Sequence, residues 1–99
     1  MPYISPVDRA LLEPVQDALS ETGVQTAGDL QYIMALAIGE YLNSHLYRYQ
    51  TMNDIMGALA GAQQEFYRRH VGPYEDTCID KNGDVPKYGL KTNNKQGEY

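Results

Sequence analysis

Residues Thr51–Asp84 read TMNDIMGALAGAQQEFYRRHVGPYEDTCIDKNGD, and the spacing of their apolar side chains decides the fold. Ile55, Met56, Leu59, Ala62, Phe66 and Tyr67 recur at intervals of three and four, so they share one face of a helix. Thr51 with Asp54 reads as the start of that helix. The threonine hydroxyl can accept from a free backbone N–H, and the aspartate sits where the positive end of the helix dipole favours it. Gly57 and Gly61 lie one turn apart, and each costs about 1 kcal/mol against alanine in a helix interior. Two such positions on one face point to a close neighbour, either a second helix or the same helix of another subunit. Asp54, Glu65 and the intervening glutamines exclude the membrane version of the GxxxG motif, which needs an apolar run of about 20 residues. Pro73 pushes Gly72 toward extended geometry, so the long helix is expected to stop or kink at Val71. A short helix then runs from Tyr74 to Lys81, opened by Pro73, with Glu75 and Asp76 in its first turn and Asn82-Gly83 as its stop.

Upstream, Thr26 with Asp29 repeats the capping logic and opens a helix over about Ala27–Asn43. Leu30, Ile33, Met34, Ala37, Tyr41 and Leu42 make its core stripe, and Leu36 and Ile38 broaden it. A helix apolar over so much of its circumference is either central or covered by a partner chain. Ser5-Pro6 predicts a short helical turn over 6–12, which Pro14 interrupts. A full helix follows from Glu13 to about Glu21, with Leu11, Leu12, Val15, Ala18 and Leu19 on its buried side. The link HLYRYQ (His45–Gln50) is rich in aromatic residues and is expected to fold back onto the bundle. After Gly83 the sequence loses its period, which suggests a short extended piece at Asp84–Tyr88 and then a mobile tail. The expected fold is all-α: a small bundle of three main helices plus a short fourth. Residues 1–85 form one helical domain and 86–99 an extended or flexible tail.

Ninety-nine residues suffice for one domain with a modest core. No apolar run is long enough to span a bilayer, and the start MPYISPVDRALLEP has neither a basic nor an apolar leader region, so a cytoplasmic location without membrane contact is expected. The net charge of −5 is unevenly placed: residues 1–66 hold two basic residues, Arg9 and Arg48, against eight acidic ones. An acidic body argues against general nucleic-acid binding, which needs a basic footprint. A lone cysteine, Cys78, forms neither an internal disulfide nor a metal site, and reads as a half-buried structural thiol.

Candidate chemistry gathers between Tyr67 and Asp84. Tyr67-Arg68-Arg69-His70 closes the long helix, where the dipole alone favours basic residues. The functional alternative is an anion or nucleotide pocket, with Arg68 and Arg69 forked onto phosphate and Tyr67 and Tyr74 enclosing a base. Adjacent Glu75 and Asp76 point about 100° apart on a helix. They read as a solvated face or a partner for arginine rather than a converging acid–base pair. Asp80, Asn82 and Asp84 imitate the opening of a calcium loop. Val85 replaces its required glycine and Lys91 its closing glutamate, so a helix-ending turn is the better account. No histidine spacing suggests zinc, and no cofactor motif is present. Nine tyrosines against one phenylalanine and no tryptophan suit interfaces or aromatic ligand contacts, or else a small core whose aromatic members reach the surface through their hydroxyls.

At EFYRRHVGPYEDTCIDKNGDV (Glu65–Val85), and more loosely at GDLQYIMALAIGEYL (Gly28–Leu42) and MNDIMGAL (Met52–Leu59), the chain resembles a family of small uncharacterised bacteriophage and bacterial proteins. Their recurring pattern is G-x-L-x-Y…N-x-x-x-G-x-L…E-F-Y-R-R…P-Y-E-D…N-G-D-V. Here MALAIGE stands where other members carry charge on the second helix. The resemblance is to a domain of unknown function, and it implies an accessory phage protein without implying a reaction. Together these features suggest a non-enzymatic protein that acts by binding, as a homo-oligomer. One version sequesters a nucleotide-type host defence signal, or another anionic small molecule, at Tyr67, Arg68, Arg69, His70, Tyr74, Glu75, Asp76, Asn82 and Asp84. The alternatives are a module that inhibits or scaffolds a host protein, and a small metal-dependent hydrolase.

Overall fold

The computed structural model describes residues 2–89, and among them every regular element is helical. The order is α1 (Pro6–Leu11), α2 (Glu13–Thr22), α3 (Ala27–Asn43), α4 (Tyr49–Phe66), a π-helical turn (Tyr67–Val71) and α5 (Gly72–Asn82). The all-α expectation holds. The chain divides into two compact units, residues 1–63 and 64–99.

In the first unit the capping signals act as read. Ser5 Oγ accepts from the Asp8 N–H at 3.2 Å, with Pro6 at the first position of α1. Pro14 has no N–H to give to the turn before it, and the chain breaks at Leu12 before α2 resumes. Gly23 ends α2 at φ 81°, a conformation costly to residues with a Cβ, and its N–H returns to the Leu19 carbonyl at 2.8 Å. Thr26 and Asp29 form a reciprocal capping box: the Asp29 N–H donates to Thr26 Oγ1 (2.9 Å) and the Thr26 N–H to Asp29 Oδ2 (3.2 Å).

The start of α4 differs from expectation. The helix begins at Tyr49, and Thr51 sits inside its first turn rather than capping it. Thr51 Oγ1 donates to the Leu46 carbonyl at 2.6 Å, so the hydroxyl serves the preceding link instead of the helix N–H groups. Asp54 in turn accepts from Gln50 Nε2 and from the Tyr41 hydroxyl. Of the aromatic residues in the link, His45 stacks on the Tyr41 ring, whereas Tyr47 and Tyr49 are exposed. Only Thr51, 3% exposed, counts as buried among the described residues, and no large hydrophobic side chain does. The apolar stripes on α2, α3 and α4 exist as expected, but within one chain they enclose no core.

Of the two outcomes expected at Val71, a stop or a kink, the chain does not stop. The chain stays helical through Gly72-Pro73 by widening to a π turn, in which the Gly72 N–H donates to the carbonyl of Tyr67, five residues back. Gly72 adopts helical angles (φ −56°, ψ −54°) although it precedes proline. The usual clash there involves the Cβ of the preceding residue, which glycine lacks, and the wider turn gives the proline ring room. As a result α5 starts at Gly72 and ends at Asn82. Gly83 closes it at φ 91° with its N–H on the Ile79 carbonyl (2.7 Å). The segment Asp84–Tyr88 is a turn rather than an extended strand: Lys87 has φ 71°, and the Tyr88 N–H reaches the Val85 carbonyl at 3.0 Å. The tail expected to be mobile lies mostly outside the described residues.

Candidate functional site

Each unit carries a cleft. In the second unit α5 and the turn after it enclose about 730 Å³. Six of the residues singled out from sequence line it: Tyr67, Tyr74, Glu75, Asp76, Asn82 and Asp84. Tyr67 reaches the cleft from the π turn and donates its hydroxyl to Glu75 Oε1. The residues are eight apart, about 12 Å of rise on a helix, a span that a tyrosine and a glutamate bridge end to end. Sequence reasoning gave Glu75 a solvated face or an arginine partner, because it counted helical neighbours at three and four, not two turns away. Asp84 turns its own carboxylate back onto the Val85 N–H at 2.7 Å, which steadies the turn at the cleft edge.

Arg68, Arg69 and His70 do not line this cleft. The Arg68 guanidinium pairs with Glu65 one turn back, and its side chain is 68% exposed. His70 stacks on Phe66, with ring centroids 5.1 Å apart. Helical geometry explains the separation of Arg68 and Arg69, because the first two residues after Tyr67 turn away from its face. Ile79, Val85 and Tyr88 were missed. Ile79 lines the cleft from α5, and Val85 and Tyr88 join it through the turn at Pro86-Lys87, whose advance signal was Pro86.

Among the described residues the lining therefore carries three carboxylates and three tyrosines but no lysine or arginine. This environment raises the Tyr67 pKa above the ordinary value of 10. The leading cause is the hydrogen bond to Glu75, followed by that carboxylate's charge, partial desolvation, and the charge of Asp76. Tyr67 thus stays a neutral phenol that donates. Carboxylates beside tyrosine faces suit a guanidinium or ammonium group, through charge-assisted hydrogen bonds and cation–π contact. They repel a phosphate. Among the described residues no group of three or more His, Cys, Asp or Glu is placed to hold a metal ion. Cys78 is a free, half-buried thiol.

In the first unit, α3 and α4 flank an apolar cleft of about 510 Å³. Met34, Ala37, Ile38 and Tyr41 come from α3, and Ile55, Ala58, Leu59 and Ala62 from α4. Its polar feature is the Tyr41 hydroxyl donating to Asp54 Oδ2 at 3.2 Å, while Gln50 Nε2 donates to Oδ1 at 2.8 Å. Desolvation, then the hydrogen bond and charge of Asp54, raise the Tyr41 pKa. His45 stacks on the Tyr41 ring at 3.9 Å and donates from Nδ1 to the Tyr41 carbonyl at 2.7 Å. No helix among the described residues is long and apolar enough to cross a membrane.

The chain belongs to the family described as Domain of unknown function (DUF6899), which matches residues 1–85. The match takes in α1 and α2, upstream of the stretches that carried the resemblance in sequence, and ends at Val85, in the turn that borders the second unit's cleft. No curated protein and no solved structure matches the chain.

Proposed function

We propose that this family member works by binding, as a protein-interaction module whose acid- and tyrosine-lined cleft takes a basic segment of a partner protein. The observation that carries this reading is the lining itself: Glu75, Asp76 and Asp84 share it with Tyr67, Tyr74 and Tyr88, and among the described residues no cation lines it. A lysine or arginine side chain entering there meets carboxylates already oriented by Tyr67 and by the Val85 N–H. In the phage setting suggested by the sequence pattern, the partner is a host protein that the module inhibits or scaffolds.

The nucleotide-sequestering version draws less support from this geometry. It needs Arg68 and Arg69 on the same cleft as the tyrosines, whereas Arg68 is committed to Glu65 and neither arginine lines the cavity. Fluorescence anisotropy with a labelled arginine-rich peptide of about ten residues separates the two. Binding is expected to weaken as salt rises and to fall at least tenfold in a Glu75→Gln, Asp76→Asn, Asp84→Asn variant. Failure of the peptide to bind, together with ATP binding lost in an Arg68→Ala, Arg69→Ala variant, would overturn the reading in favour of the nucleotide.

A further inference from the structure

We propose that the second unit's cleft reads a spacing as well as a charge. It takes an extended segment of a partner protein in which two arginines stand four residues apart with an apolar residue midway between them. This assignment rests on the binding reading above and adds the partner's pattern to it.

The lining is laid out along α5. Glu75, Cys78, Ile79 and Asn82 all border the cleft and recur at spacings of three and four, so one stripe of the helix runs along it. The carboxylates stand at the two ends of that stripe. Glu75, followed by Asp76, lies at the start of α5, and Asp84 comes just after the Gly83 stop. Between these ends lie Cys78, a half-buried thiol, and Ile79, whose aliphatic side chain is exposed. The ends are acidic and the middle is not.

Each end holds a carboxylate in place. Tyr67 donates its hydroxyl to Glu75 Oε1, and the Val85 N–H donates to Asp84 Oδ1 at 2.7 Å. Among the described residues, Glu75 Oε2 and Asp84 Oδ2 accept no hydrogen bond. One oxygen is fixed and the other is left to take a donor from outside. A guanidinium suits these ends better than an ammonium. Its planar fork can lie on a tyrosine ring while donating to a carboxylate, and it is more weakly hydrated. At the Asp84 end the partial negative charge of the α5 C-terminus adds to the attraction.

The distance between the ends sets the spacing. From Glu75 to Asn82 the helix rises about 10 Å, and Asp84 follows two residues later. In an extended segment, residues i and i+4 lie about 13 Å apart and share a face with residue i+2. Arginines at i and i+4 therefore reach both acidic ends while the side chain at i+2 meets Ile79. Adjacent arginines point to opposite faces and reach one end. A helical partner fits less well, because helix-on-helix packing needs a ridge of side chains along the contact. Here α5 offers Cys78 and Ile79 between charged ends.

Fluorescence anisotropy with the full chain tests the spacing. Two labelled peptides of about ten residues carry Arg-Ala-Leu-Ala-Arg or its isomer Ala-Arg-Arg-Leu-Ala between the same Gly-Ser flanks, so charge and composition are equal. The spaced peptide should bind at least tenfold more tightly. Replacing its leucine by serine should weaken binding several-fold in the native chain and leave it unchanged in Ile79→Ser. Glu75→Gln and Asp84→Asn keep an acceptor for Tyr67 and for the Val85 N–H. Each should bring the spaced peptide down to the level of its isomer. The two-peptide comparison on the native chain needs no variant and stands if one fails to fold. Equal affinity for the two isomers overturns the spacing assignment, and so does an Ile79→Ser chain that still separates leucine from serine. If the arginine-rich peptide binds but neither isomer does, the spacing falls and the binding reading stands. If none of the three binds, both fall.

Discussion

Tyr67 shows how a single side chain joins local structure to site chemistry. It opens the π turn, accepts the Gly72 N–H on its carbonyl, and gives its hydroxyl to Glu75 across the cleft. Because that carboxylate raises its pKa, Tyr67 keeps its proton in the folded protein to a higher pH than in the unfolded chain. Its contribution to stability is complete below pH 10, the ordinary tyrosine value. It is lost as pH rises from there through the raised folded value. Urea midpoints at pH 8 and pH 11 should therefore fall less in Tyr67→Phe than in the native chain. Equal losses would show that the Tyr67–Glu75 bond does not couple to folding. The arginines next to it illustrate the opposite outcome. Arg68 and Arg69 were prominent in sequence, yet one and two residues past Tyr67 the helix has rotated away, and neither arginine lines the cleft.

At the scale of elements, ends proved more legible than continuations. The Thr26–Asp29 box, the Ser5 cap, and Gly23 and Gly83 as terminators all use short-range hydrogen bonds, or φ values near 80–90° that few residues but glycine tolerate. Nothing distant is needed to form them, so the residues suffice to read them. Thr26→Ala should destabilise the fold by about 1 kcal/mol in urea denaturation at fixed chain concentration. Asp29→Ala in the same background should add less than it costs alone, because the two bonds form one reciprocal unit. The Gly72-Pro73 junction misled for a different reason. Local rules for proline describe an α-helix, and they fail where the backbone widens by one residue to accept the ring. Thr51 likewise had a cap's sequence, but the helix already begins at Tyr49, and the Thr51 hydroxyl donates to the Leu46 carbonyl.

For the molecule as a whole, the mismatch between pattern and burial dominates. A Leu→Ala change on an exposed helix face ordinarily shifts stability by within about 0.5 kcal/mol, whereas the same change in a packed core costs about 2–5 kcal/mol. Leu59 is 37% exposed in one chain and lines the α3–α4 cleft. Leu59→Ala should therefore shift stability by within about 0.5 kcal/mol, read from urea unfolding at 10 µM chain. A core-like loss of about 2 kcal/mol or more would show that the residue is covered in solution.

From residues alone came the helical class, most helix boundaries, and the grouping of Tyr67, Tyr74, Glu75, Asp76, Asn82 and Asp84 near one another. These follow from periodicity and from hydrogen bonds spanning a few residues, which chain chemistry sets without reference to distant parts. Which side of the π turn the arginines occupy, which carboxylate Tyr67 meets, and the absence of a buried apolar side chain among the described residues emerged only in three dimensions. Those properties depend on accumulated rotation along the helices and on which apolar faces find a cover, and neither is encoded in any short stretch of sequence.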